Sequence, residues 1–191
     1  MNTSLFSRLS RIVLFTLAFG ASHTALAGKP YQHFLTGDGS NAVLPKPAFP
    51  SLVLMGGGPD VDAAFKWMIQ KSGGGNFVVI RATGTDGYNP YIYDMGGVRS
   101  VETLIIPSRT AASDPFVLER VRNAEAVFIA GGDQSDYMRY WKHTPLDTAL
   151  QELANRNIPI GGTSAGLAVM GQVIYTGGNQ SVASPLALAN P

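Results

Sequence analysis

Three short apolar runs each end in a glycine turn and lead into a helix-like stretch, and this repeated order constrains the fold more than any other feature of the chain. Ser51-Leu52-Val53-Leu54-Met55 enters Gly56-Gly57-Gly58, Ala126-Val127-Phe128-Ile129-Ala130 enters Gly131-Gly132, and Ile158-Pro159-Ile160 enters Gly161-Gly162. Two more buried-type runs, Phe77 to Arg81 and Val101 to Ile106, lie between the first and the second. Runs that are apolar throughout belong to strands covered on both faces. Their alternation with amphipathic helices predicts a three-layer, doubly wound α/β fold around a mostly parallel sheet. One helix is expected from a cap at Asp60, with Val61, Ala64, Phe65, Met68 and Ile69 on its inner face. Others open at Asp114-Pro115, at Gln134, running to Lys142, and at Thr144-Pro145, running to Arg156.

With 191 residues, 45% of them hydrophobic, the chain has material for one well-cored domain. Cysteine is absent, which excludes disulfides, thiolate metal sites and thiol redox chemistry. No His/Asp/Glu cluster has ligand spacing, so neither a metal nor another cofactor is expected. The 14 basic and 13 acidic residues leave a charge of +1 with no basic stripe, so the expected partners exclude nucleic acid.

Residues 1–27 read as a secretory signal. Arg8 and Arg11 precede the apolar run Ile12 to Gly20, and Ala25-Leu26-Ala27 is a small-x-small cleavage pattern that sets Gly28 as the mature start. The run is too short to span a bilayer, so no membrane attachment is expected after cleavage, and the mature chain is expected in a periplasm or outside the cell. Residues 28–50 carry four prolines and no strand or helix periodicity, and read as an extended arm. The remaining 51–191 form the α/β domain.

Open parallel sheets bind ligands at the carboxyl ends of their strands, so the three glycine turns are expected to converge on one site. The first, Gly56-Gly57-Gly58-Pro59-Asp60-Val61, is a poor dinucleotide loop: it lacks the last glycine of G-x-G-x-x-G, and Pro59 has no N–H for a phosphate. The third, Gly162-Thr163-Ser164-Ala165-Gly166, fits a strand–turn–helix elbow that lifts a serine hydroxyl clear of the sheet. Glycine two positions before and after the serine permits the tight crossing. The plainer alternative is a glycine-rich turn whose serine only caps the next helix.

Gly131-Gly132-Asp133-Gln134 together with Gly162-Thr163-Ser164-Ala165-Gly166 resembles the cyanophycinase family and its dipeptidase E-like relatives, and Arg81-Ala82-Thr83-Gly84-Thr85-Asp86-Gly87-Tyr88-Asn89 looks like a loop of that family. The similarity runs from about Ser51 to the C-terminus. The resemblance implies a class I glutamine-amidotransferase-like, flavodoxin-like fold and a serine peptidase cleaving beside aspartyl residues. It makes Ser164 the catalytic nucleophile, with the backbone N–H groups of Ala165 and Gly132 as oxyanion donors and Gln134 lining the pocket. Gln134 has a rival role as a helix cap. Arg81, at a strand's carboxyl end, is a candidate ligand for a substrate carboxylate, with an ion pair to Asp86 as the alternative.

A serine hydroxyl needs a general base, and residues 165–191 contain no His, Asp, Glu, Lys or Arg. His23 lies in the signal, His33 in the arm, and His143 at the end of the helix that begins near Gln134, where it is expected to be solvated. The chain finishes in the loop-like Ala189-Asn190-Pro191, so its C-terminal part is expected to be missing and its activity impaired. The alternatives are a non-catalytic binding protein of the same fold and, more distantly, an esterase. Oligomeric state is not written in the sequence, and a homodimer stays open.

Overall fold

The computed structural model describes residues 28–41, 44, 47, 49–176 and 183–189. The proposed signal lies outside the described residues. Thirteen regular elements follow one another along the described chain. They are β1 (Gln32–Gly37), β2 (Leu52–Met55), α1 (Asp62–Ser72), β3 (Asn76–Arg81), α2 (Tyr88–Tyr93), β4 (Ser100–Ile105), α3 (Pro115–Arg122), β5 (Ala126–Ile129), α4 (Gln134–Trp141), α5 (Pro145–Asn155), β6 (Ile160–Thr163), α6 (Ala165–Ala168) and α7 (Ser184–Ala189). A single 3₁₀ turn, Ala111–Ser113, precedes α3.

The strands form one sheet in the order β1-β4-β3-β5-β6-β2. All pairs are parallel except β1 with β4. β3 shows why its run is apolar throughout. Val78 and Ile80 face a core built with α3, α4 and α5, while Phe77 and Val79 face a second core with Phe65 and Met68 of α1 and Ile92 of α2. Successive side chains of a strand point to opposite faces, so a strand covered on both must be apolar at every position. The α/β expectation therefore holds, with helices on both faces of a mostly parallel sheet. The strand order reverses between β3 and β5, because the chain leaves β3 for β4 on one side and then crosses to β5 on the other.

Four local readings change. The arm contains strand β1, which pairs antiparallel with β4 from Gln32 opposite Ile105 to Gly37 opposite Ser100. An edge strand closed by polar pairing has little hydrophobic periodicity to read. The loop after β3 contains a short helix, α2. Asp60 does not cap α1, whose N-cap is Val61 without a side-chain bond; the Asp60 carboxylate instead accepts from Tyr88 Oη at 2.9 Å. Near the end of the chain Ser184–Ala189 is helical, where a loop-like finish was expected, and Asn190 and Pro191 lie outside the described residues. The cap at Asp114 is formed, its Oδ1 accepting from the Phe116 N–H at 2.9 Å.

β1 is anchored through a buried carboxylate. Glu102 of β4 is fully buried, accepts a hydrogen bond from Arg120 of α3 and lies 2.9 Å from His33 Nε2 of β1. Arg120 also donates to the Gly39 carbonyl at 2.7 Å. Burial alone would raise the Glu102 pKa, but the bonds from His33 and Arg120 outweigh it and hold it below the usual carboxylate value.

Candidate active site

Strand β6 delivers Ser164 to the top of the sheet, where the chain turns into α6 with Ser164 at φ 52° and ψ −120°. A non-glycine residue there is strained by roughly 1–3 kcal/mol, and such strain persists only where the surroundings enforce it. Here they do. A Cβ built on Gly166 would lie 1.9 Å from the Ile129 carbonyl oxygen, and one on Gly162 would lie 2.6 Å from the Gly166 carbonyl. The turn thus needs glycine at both positions to pass between β5 and its own helix. Ser164 caps nothing: its side chain makes no capping bond, and among the described residues its Oγ has no hydrogen-bond partner.

The three glycine turns do meet. The Ser164 N–H donates to the Met55 carbonyl at 3.1 Å, and Thr163 Oγ1 donates to the Gly56 carbonyl at 3.0 Å, tying the end of β6 to the turn after β2. A Cβ on Gly57 would sit 3.9 Å from Ser164 Oγ, and one on Gly131 would sit 3.5 Å from Ser164 Cβ. Adjacent positions of β5, β6 and β2 in the sheet bring this about. Ala165 occupies the first position of α6, so its N–H has no partner within the helix. Gly132 follows on the neighbouring turn, packed so closely over Tyr137 that an added Cβ would lie 2.7 Å from the phenol oxygen.

Gln134 is not a helix cap. Asp133 caps α4, its Oδ1 accepting from the Ser135 N–H at 2.8 Å and the Ser135 hydroxyl at 2.6 Å, bonds that hold the Asp133 carboxyl below its usual range. The Gln134 amide donates instead to the Tyr175 carbonyl at 3.1 Å and lines a groove with Leu54, Leu167 and Val173. Arg81 is likewise not paired with Asp86. Its Nε donates to the Thr83 carbonyl at 2.6 Å and its Nη1 to the Thr85 carbonyl at 3.3 Å, so that the guanidinium wraps around Gly84. Gly84 sits at φ +111°, and a Cβ there would lie 2.5 Å from Arg81 Cζ.

Among the described residues neither His33 nor His143 hydrogen-bonds to Ser164. His33 is engaged with Glu102. His143, at φ 57°, lines a cavity of about 340 Å³ with Trp141, Leu150 and Val169, while its backbone N–H donates to Asp147 Oδ2 at 2.9 Å. Sequence reasoning read Asp60 as a cap and Tyr88 as part of a loop and gave neither them nor Tyr91 a place in the site, yet all three wall a cavity of about 520 Å³ beside Arg81. Their positions in a loop and a one-and-a-half-turn helix carry no periodic signal, although the two tyrosines at i and i+3 are a faint one.

A sequence model of peptidase family S51 matches residues 84–188, more than half of the chain. The chain belongs to peptidase family S51. The match spans α2 through α7 and includes both Gly131 to Gln134 and Gly162 to Gly166, whereas the resemblance was expected to begin near Ser51. Cyanophycinases of Synechococcus elongatus and Thermosynechococcus vestitus (strain NIES-2133 / IAM M-273 / BP-1) are each 33% identical over 96 residues, covering 49% of this chain and 30% of theirs. The cyanophycinase of Geminocystis herdmanii (strain PCC 6308) is 31% identical over 100 residues, covering 52% of this chain and 37% of its own. The chain thus matches about a third of the length of these curated relatives. The crystal structure of a peptidase from an acI-B1 actinobacterium superposes with a TM-score of 0.55 at 21% identity, covering 66% of this S51 chain and 58% of the other, and supports the shared fold.

Proposed function

We propose that this S51 chain is a serine-type peptidase acting on bonds beside aspartyl residues through an acyl-enzyme on Ser164. The observation that carries the reading is the strained, exposed Ser164 held at φ 52° between two obligatory glycines. In this scheme Ser164 Oγ loses its proton to a base and bonds to the scissile carbonyl carbon. The carbonyl oxygen becomes an oxyanion facing the N–H groups of Ala165 and Gly132, each such donor contributing on the order of 10²–10³ in rate. Collapse breaks the C–N bond, the amine leaves with a proton, and water hydrolyses the ester.

Within these 191 residues turnover is expected to be residual. Ser164 Oγ has no partner among the described residues, and a positioned base typically supplies roughly 10²–10⁴-fold. The same observation favours a second reading, a binding protein that keeps the pocket without the base. The order Arg8, Arg11, apolar run, Ala25-Leu26-Ala27 adds export to the proposal, checked by a mature N-terminus at Gly28 in the native host.

A fluorophosphonate probe followed by peptide mass spectrometry tests the chemistry. Slow modification of Ser164, abolished by Ser164→Ala, is expected. No adduct at Ser164 under forcing concentrations would reject the nucleophile and leave the binding reading standing.

A further inference from the structure

We infer that the cavity walled by Asp60, Arg81, Gly87, Tyr88 and Tyr91 is a binding site for the zwitterionic head group of an amino acid, its carboxylate on Arg81 and its ammonium on Asp60. The cavity holds about 520 Å³ and opens at the carboxyl end of β3, where the strand order reverses between β3 and β5. Crevices at such points are where open α/β sheets bind ligands.

The hydrogen bonds left unmade there define the ligand. A guanidinium has five N–H donors. Arg81 spends one from Nε and one from Nη1 on its own loop, and its Nη2 has no partner among the described residues. That leaves a positively charged group, fixed in place, with donors to spare for a carboxylate. Asp60 Oδ2 accepts from Tyr88, but Asp60 Oδ1 is buried with no partner among the described residues. An unpartnered buried carboxylate oxygen is costly, and the single bond from Tyr88 leaves the Asp60 carboxylate, on the cavity wall, short of the donors it can accept. The other buried side-chain atom without a partner among the described residues, Asn89 Nδ2, is next in sequence to Tyr88. Asp60 and Arg81 do not neutralise each other, since no ion pair joins them among the described residues.

The tyrosines complete the wall and are held from behind. Tyr91 Oη donates to Asp62 Oδ1 at 2.5 Å, and Phe65 packs 5.5 Å from the Tyr91 ring and 6.0 Å from Tyr88. With both hydroxyls already donating, the rings present aromatic surface, which suits an ammonium. Gly57 lies beside Ser164, and Asp60 is three residues further on, a span of at most roughly 10 Å. Free amino acids are the product class of peptide hydrolysis. The cavity's role as a product or terminal-residue subsite rests on the peptidase reading of Ser164, whereas its occupancy by a zwitterion does not.

The test is a chemical-shift titration of the full chain with L-leucine, N-acetyl-L-leucine, which lacks the ammonium, and L-leucinamide, which lacks the carboxylate. L-leucine is expected to bind at least about tenfold more tightly than either blocked form, each of which has lost one charge-assisted contact. Asp60→Asn is expected to abolish only the discrimination against N-acetyl-L-leucine, and Arg81→Gln only that against L-leucinamide. This crosswise pattern cannot arise from unfolding, and Ser164→Ala is expected to preserve it, so failure of the hydrolytic reading shows separately as absence of a phosphonate adduct. Equal binding of the three compounds, no binding of L-leucine, or an Asp60→Asn protein that still rejects N-acetyl-L-leucine overturns the assignment.

Discussion

The backbone N–H of Ser164 donates to the carbonyl of Met55, 3.1 Å away on the neighbouring strand β2. Residues 109 positions apart (164 minus 55) are thereby joined at the apex of the turn, so the strain in Ser164 is held by the sheet as a whole.

The glycines around that apex are accordingly expected to be intolerant. Gly166→Ala or Gly162→Ala forces backbone atoms apart and should cost at least about 1–3 kcal/mol, as overpacking does. Gly56→Ala, where an added Cβ meets nothing within 4 Å, is the control. Urea unfolding midpoints decide it, and an unchanged midpoint for Gly166→Ala would contradict the described crossing.

Removing the carboxylate that ties down β1 is expected to be severe. Glu102→Gln leaves Arg120 without its ionised partner in a buried site, a change that typically costs about 3–5 kcal/mol. Because the folded-state pKa of Glu102 is lowered, its contribution is present above the ordinary value of 4.5 and is lost as pH falls through the folded value. Wild type should therefore lose stability more steeply than Glu102→Gln as pH falls from 4.5 to the folded value. Amide exchange across Gln32–Gly37 should accelerate in the variant, and unchanged protection there would show that β1 is held by other means.

The cavity wall predicts late phenol ionisation. Burial first, and then the bond to Asp62, push the Tyr91 pKa up to about 12; burial does the same for Tyr137, and Tyr88 is raised too, by burial and by Asp60. A raised folded pKa contributes stability that is complete below the unfolded value near 10 and is lost as pH climbs toward 12. Absorbance titration should show some of the seven tyrosines ionising late, with the late fraction reduced in Tyr91→Phe. A single transition near 10 would mean that the tyrosine wall is not formed.

His143 should be dispensable for Ser164 chemistry, since the cavity it lines does not include Ser164. His143→Ala is expected to leave the rate of Ser164 phosphonylation unchanged, and a drop of about tenfold or more would make it the base. His143→Gly should be neutral or stabilising, because φ 57° suits glycine.

Much of the architecture is local information. Val78 and Ile80 alternate with Phe77 and Val79, so the need to cover both faces of β3 is written in the run itself, as is the helix start at Asp114-Pro115. The elbow is legible too, because the clash that Gly162 and Gly166 avoid arises from a fixed spacing around one serine. What the chain could not reveal in one dimension is which distant groups share an environment. Asp60 looks like a helix cap until Tyr88, 28 residues away, claims its carboxylate, and Gln134 looks like a cap until Asp133 takes that place and Tyr175 receives the amide. β1 is invisible as a strand because its partner lies about 70 residues away, and its buried lock is assembled from His33, Glu102 and Arg120 on three different elements. Periodicity encodes what each segment must hide from water, whereas hydrogen-bond partners, and hence the charge left unspent in a cavity, depend on which loops the closed sheet sets side by side.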